Sequence, residues 1–227
     1  MKIMRPPRIH PMLATIVSSS LSALDGVQFT GCAACPACGG TLRGYDTKKK
    51  QFAVIMEGEM RRVIYVYVKR FYCRDCQRLC YAHEPFYPGT RIGSPIVDLG
   101  ITLSATMNPN RVAAYLAALG IVADRTTCRL YTKRTFPRVP TTDVFGIRIP
   151  MSVFNLFNLV TQGTEGSRIE GAEVLAACGF PSTYRALLHP PLPGKEGDER
   201  DEQEKKEERQ VHEPHNDGDE KRPDKKD

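Results

Sequence analysis

Residues 62–72 form a β-branched and aromatic run in which Val63, Tyr65, Tyr67 and Lys69 alternate with Ile64, Val66, Val68 and Arg70. That period of two predicts a strand with two distinct faces. Residues 41–45 and 52–56 read as shorter strands, separated by a basic turn at Lys48, Lys49 and Lys50, and Glu57-Gly58-Glu59 turns the chain into the long strand. Past residue 90 the period lengthens. Residues 95–104 form a short apolar helix candidate, and Asn108-Pro109 supplies an N-cap and first-turn proline for a helix over 111–119 that Gly120 closes. Asp124 caps a third helix over 125–134, in which Cys128, Leu130 and Tyr131 are expected to seat it on the other two. Val153 to Val160 predicts a buried helix ended by Gly163. Residues 169–178 then read as another helix, followed by a Gly-Phe turn and a second short helix over 183–188.

This order divides the chain into an N-terminal segment (1–30), a β region (31–84), a trihelical region (92–136), an extended basic linker (137–152), a further helical region (153–189) and a tail (190–227). The apolar stretch from Met12 to Val17 is too short, and too closely flanked by prolines and serines, to read as a secretory signal. No apolar run approaches the ~18–20 residues that span a bilayer, so no membrane partner is expected. From residue 194 onward there are 9 Lys and Arg against 14 Asp and Glu with almost nothing to bury, which predicts disorder. The whole chain of 227 residues carries a net +6, so residues 1–193 carry +11. A folded body that basic fits a polyanionic partner.

Six of the eight cysteines crowd into two clusters. Cys35-Pro-Ala-Cys38-Gly-Gly and Cys73-Arg-Asp-Cys76 each place two thiolates at i and i+3 on a tight turn. Paired knuckles of this spacing, joined by strands, describe a zinc ribbon: Cys35, Cys38, Cys73 and Cys76 would hold one structural Zn²⁺ per chain, tetrahedrally, with no position open for chemistry. Such thiolates belong to a reducing compartment, the cytoplasm. Cys32 with Cys35 is an alternative first knuckle, and Cys32, Cys80 and His83 are an alternative second metal set; otherwise the spare thiols are small apolar fillers. Cys128 and Cys178 read as core. The expected fold class is therefore α+β: a small β zinc ribbon followed by an all-α helix-turn-helix region, a second helix-turn-helix candidate within 153–189, and a disordered charged tail.

The succession C-P-A-C-G-G, then V-K-R-F-Y-C-R-D-C-Q-R-L-C-Y, then G-I-V-A-D-R-T-T-C-R-L-Y resembles the N-terminal DNA-binding region of prokaryotic, including archaeal, insertion-element transposases, over roughly residues 32–134. The resemblance implies zinc ligands at Cys35, Cys38, Cys73 and Cys76 and a DNA-reading helix over 125–134. The departure from the family is equally informative. An RNase-H-type catalytic domain needs three carboxylates around two Mg²⁺, and the roughly sixty structured residues after Arg134 leave no room for one. No phosphate loop, H-E-x-x-H or G-x-S-x-G occurs either.

The sequence thus predicts a sequence-specific binder of double-stranded DNA and not an enzyme: a transcription regulator, or the DNA-binding remnant or partner of a transposase. Arg125, Thr126, Thr127, Arg129, Lys133 and Arg134 would read the major groove. Lys48, Lys49, Lys50, Lys69 and Arg70 would add backbone contacts. A transposase or regulatory protein, or a second copy of the chain, are the protein partners this reading allows. The competing reading from another class is a protein-interaction or transcription-assembly module that never touches DNA.

Overall fold

A computed structural model describes residues 7–180 apart from 133, 135, 137 and 164–167. The expected tail and the helix at 183–188 lie outside the described residues. Within them the chain is mixed α+β, with six helices and two sheets.

The larger sheet is built on a long hairpin of β2 (Leu42–Glu57) and β3 (Met60–Cys73). Gly58, at φ 62°, lies in the tight turn between Glu57 and Met60. On its other side β3 pairs with two short strands, β1 (Gln28–Phe29) in parallel at Tyr67 and Val68, and β4 (Leu79–Tyr81) antiparallel at residues 70–72. β2 is the sheet's edge. The basic turn expected at Lys48, Lys49 and Lys50 is absent: β2 runs straight through, pairing them with Val68, Tyr67 and Val66. Three lysines make a polar run but contain no Gly, Pro or Asn able to reverse the chain. What interrupts β2 instead is a pair of register shifts, between Gly44 and Thr47 and between Gln51 and Ala53.

The half of the hairpin nearest its turn is packed under helices. Ile55, Ile64, Val66 and Val68 are buried in one continuous cluster with Leu13 and Val17, Leu99, Leu116, Val153 and Val174. These come respectively from α1 (Pro11–Ser22), α2 (Ser94–Ser104), α3 (Pro109–Ala118), α5 (Met151–Gln162) and α6 (Gly171–Ala177). Each such side chain contributes roughly 1.5–3 kcal/mol through removal from water, so this cluster supplies most of the fold's apolar stabilisation. The apolar N-terminal stretch is α1, whose Leu13, Ile16, Val17 and Leu21 are buried and whose first turn is capped by the His10 ring.

Capping chemistry sets the helices after the sheet. The Asn108 side chain accepts from the Arg111 amide at 3.0 Å, Gly120 takes φ 81° after α3, and Asp124 accepts from the Thr127 amide at 2.6 Å to open α4 (Arg125–Thr132). The connection between α3 and α4 is tied to the edge of β2: the Met56 amide donates to the Gly120 carbonyl at 2.7 Å and the Val122 amide to that of Val54 at 2.8 Å. Cys128 and Tyr131 bury α4 as expected, whereas Leu130 is 50% exposed. Residues two apart on a helix point to opposite sides, so Leu130 cannot share the face of Cys128.

The extended basic linker expected at 137–152 is largely a hairpin, β5 (Thr141–Val144) and β6 (Ile147–Pro150). Phe145 and Gly146, at φ 52° and 74°, form the two-residue turn with both central φ positive that hairpins favour. Ile149 is buried at its far end. No described helix is long and apolar enough to cross a membrane.

Candidate metal centre and nucleic-acid interface

Away from the helices, the ends of β2 and β3 carry the two cysteine knuckles, and the two have the same backbone bonding. In the first, the Cys35 amide donates to the Gly40 carbonyl at 3.0 Å and the Gly39 amide to the Cys35 carbonyl at 2.8 Å. In the second, the Cys73 amide donates to the Arg78 carbonyl at 2.9 Å and the Gln77 amide to the Cys73 carbonyl at 3.1 Å. The residue after the second cysteine is left-handed in both, Gly39 at φ 73° and Gln77 at φ 58°. This repeat makes Cys35, rather than Cys32, the opening residue of the first knuckle. The knuckles are also laced together: the Arg74 amide donates to Thr41 and the Asp75 carboxylate accepts from the Thr41 amide at 3.1 Å. Gly40 leaves room for this contact, because a Cβ at that position would stand 1.9 Å from the Asp75 carboxylate and force it to shift.

The folding brings the sulfurs of Cys35, Cys38, Cys73 and Cys76 within 4.8 Å of one another, a group that could hold a metal ion. Cys35 lies 3.6 Å from Cys76, and Cys38 3.6 Å from Cys73. A disulfide needs about 2.05 Å, whereas a tetrahedron of thiolates about 2.3 Å from a central ion has edges of about 3.8 Å. The separation fits shared coordination and not a crosslink. The Ala37 amide, with that of Cys38 and the neighbouring thiols, holds Cys35 down to about 6. The Gly40 amide favours the Cys38 thiolate too, but Cys76, Cys73 and burial push that group up to about 12. The backbone amides of the first knuckle thus favour a thiolate at Cys35, and a cation bound by cysteines takes them as thiolates.

Cys80 on β4 is a fifth sulfur, buried 3.6 Å from Cys35 and pushed up to about 11, chiefly by that burial and then by Cys35. It packs against the cluster outside the group of four. Among the described residues Cys32, Cys80 and His83 do not gather into a second metal set.

The residues expected to meet DNA fall into separate groups. On α4, Arg125, Thr126 and Arg129 are exposed on one side, while Thr127 is half-buried. Arg134 donates to the Gly89 carbonyl at 3.0 Å and lies beside the Tyr131 ring; Lys133 lies outside the described residues. On the sheet, Lys48 is exposed, Lys49 stands 3.9 Å over the Tyr65 ring, and Lys50 bonds Glu84 at 2.6 Å. Lys69 is opposite Thr47, and Arg70 is paired with the Asp46 carboxylate, which holds that acid below its usual range.

Comparison with known proteins adds no relative. No family model, no curated protein and no solved structure matches this chain.

Two features escaped the sequence reading. Asp98 of α2 is 3% exposed, accepting from the Tyr87 hydroxyl at 2.6 Å and the Ser152 hydroxyl at 2.8 Å, and burial raises it to about 6. A lone Asp inside Pro-Ile-Val-Asp-Leu-Gly-Ile was the available signal. The second is a set of exposed rings on the sheet face opposite the cysteines, which no single stretch of sequence reveals.

Proposed function

We propose that the chain is a double-stranded-DNA-binding protein in which a zinc ribbon, Zn²⁺ on Cys35, Cys38, Cys73 and Cys76, fixes one end of the sheet, and a helix-turn-helix formed by α3 and α4 reads the major groove. The observation that carries this reading is α4 itself. It is an Asp-capped helix whose outward side presents Arg125, Thr126 and Arg129 while Cys128 and Tyr131 anchor its inward side. Arginine pairs with guanine edges and threonine with thymine methyls or phosphates. Four sulfurs in tetrahedral spacing favour zinc among divalent ions. The ion would close its shell with protein ligands, and the chain would bind rather than cut, in the manner of a transposase's DNA-binding region or a regulator.

Titration of zinc-loaded protein with duplexes selected from a random pool tests the reading. A steep fall of log K with log salt is expected, and Arg125→Ala should cost about 1–3 kcal/mol on the selected site and less elsewhere. Absence of duplex affinity at low salt from folded, metal-loaded protein would sink it. The exposed Leu130 favours a second reading, a protein-assembly module, because an apolar side chain amid the polar face of α4 suits a protein surface. In that case Leu130→Ala would abolish partner capture and leave DNA binding unchanged.

A further inference from the structure

The face of the sheet opposite the cysteines is organised in two rows across three strands. In the outer row Arg43 of β2, Tyr72 of β3 and Leu79 of β4 stand in register. In the inner row Arg70 of β3 is in register with Tyr81 of β4. On its other side the register shift between Gly44 and Thr47 sets both Tyr45 and Asp46 against it. A bulge of this kind places two residues opposite one, so Asp46 neutralises the Arg70 guanidinium while the Tyr45 ring lies 5.6 Å from it. Arg70 is thereby fixed as a flat spacer between two phenols.

Four of the large apolar side chains that the described residues expose belong to this small area: Tyr45 at 63%, Leu79 at 41%, Tyr72 at 39% and Tyr81 at 36%. Nothing among the described residues covers them, although the same sheet buries its apolar residues thoroughly a few positions away. Arg43 and Lys48 are exposed at the margin on β2, and Arg74 and Arg78 in the adjoining knuckle. Asp46 is paired with Arg70, Glu84 with Lys50, whose ammonium stands 5.2 Å from the Tyr81 ring, and the Asp75 carboxylate of the knuckle accepts from the Thr41 amide at 3.1 Å. Exposed rings whose neighbouring acids are bonded, bordered by four cations, are complementary to a ligand with flat faces and a polyanionic backbone.

We infer that this face is a binding site for single-stranded nucleic acid, with bases stacked on Tyr45, Tyr72 and Tyr81 and phosphates on Arg43, Lys48, Arg74 and Arg78. Duplex does not fit, since its bases show no free faces. Successive rows of a strand stand about 6.7 Å apart, so each row holds its own base rather than sharing one. Every base has a π-face, and the site is expected to tolerate sequence. It is separate from α4, and neither reading depends on the other.

The test uses the full, zinc-loaded chain with labelled oligothymidylate and oligouridylate, read by fluorescence anisotropy at low salt. The chain has no tryptophan, so its intrinsic emission is tyrosine emission, and stacking should quench it on titration with either strand. Tyr72→Ala and Tyr45→Ala are each expected to weaken binding about 5- to 100-fold, while Tyr72→Phe retains it. Arg125→Ala should leave it unchanged. Tighter binding of oligouridylate would identify RNA as the ligand, and equal binding a site that ignores the 2′-hydroxyl; both support the proposal. No binding of either strand by folded, metal-loaded protein overturns it. Alanine variants that bind like the parent do so too, as does full competition by an equal concentration of duplex. Both alanine variants replace exposed side chains, and unchanged zinc content and circular dichroism confirm that they fold.

Discussion

The two halves of the β2–β3 hairpin share one sheet but are held by different forces. Towards the turn, Ile55, Ile64 and Val66 lie under helices and owe their order to apolar burial. Towards the cysteines the sheet is one layer thick: one face rests on a small cluster of Cys35, Cys73, Cys76 and Cys80, and the other shows tyrosines to solvent. A single layer buries little surface to offset its chain entropy, so an ion held by the four cysteines would stabilise the distal half far more than the proximal one.

The largest effect is expected from denying the cysteine cluster a metal ion. A structural Zn²⁺ contributes on the order of 10 kcal/mol in zinc-finger peptides, and an ion on this cluster would act on the distal half alone. Chelation, or Cys73→Ser, should therefore abolish amide protection around residues 31–44 and 70–82 while protection at 53–55 and 64–66 persists, as hydrogen exchange would show. Loss of protection throughout would mean that one cooperative unit spans both halves. Ile64→Ala attacks the other side of the comparison. Truncating this fully buried residue should cost about 2–5 kcal/mol of global stability in urea unfolding, with the zinc content of the folded fraction unchanged.

Next in size is a pH effect confined to the helical half. Asp98 holds its proton up to about 6 in the folded chain, against 3.8 for a free carboxyl. The folded state thus binds the extra proton, so stability is highest below pH 4 for this group and falls as pH rises through about 6. The shift corresponds to roughly 3 kcal/mol. Asp98→Asn should remove most of that decline between pH 4 and 7 without altering metal binding; an identical decline in the variant would refute it. The smallest effect compares the knuckles with each other. Gln77→Gly relieves a left-handed non-glycine residue and should stabilise the distal half by about 0.5–1 kcal/mol, whereas Gly39→Ala should cost about 1 kcal/mol. Chelator competition would register both as opposite changes in metal affinity.

What the sequence revealed and what it hid follow the same division by range. Cysteine spacing and capping residues act over three or four positions, so the pairing of Cys35 with Cys38, the Asn108 cap and the Gly120 stop were readable directly. Lys48, Lys49 and Lys50 misled because local polarity suggested a turn, while the pairing that keeps them extended comes from Val66 and Val68 on another strand. The β5–β6 hairpin was hidden by prolines that suggested an open connector, although Phe145-Gly146 carried the turn. The exposed tyrosines come from positions 45, 72 and 81, and only the register of three strands and one bulge assembles them.

The lysine run has a consequence for the chain among its own copies. An outermost strand with free amides and carbonyls is a template on which another strand can add. Near the hairpin turn that template is closed by Gly120 and Val122. Farther along, Lys48 keeps its ammonium exposed while Lys49 and Lys50 carry theirs to the Tyr65 ring and Glu84, so a second molecule offering the same edge would bring its own Lys48 against this one. A charge at that position opposes the addition of a further strand where the border of the sheet is uncovered.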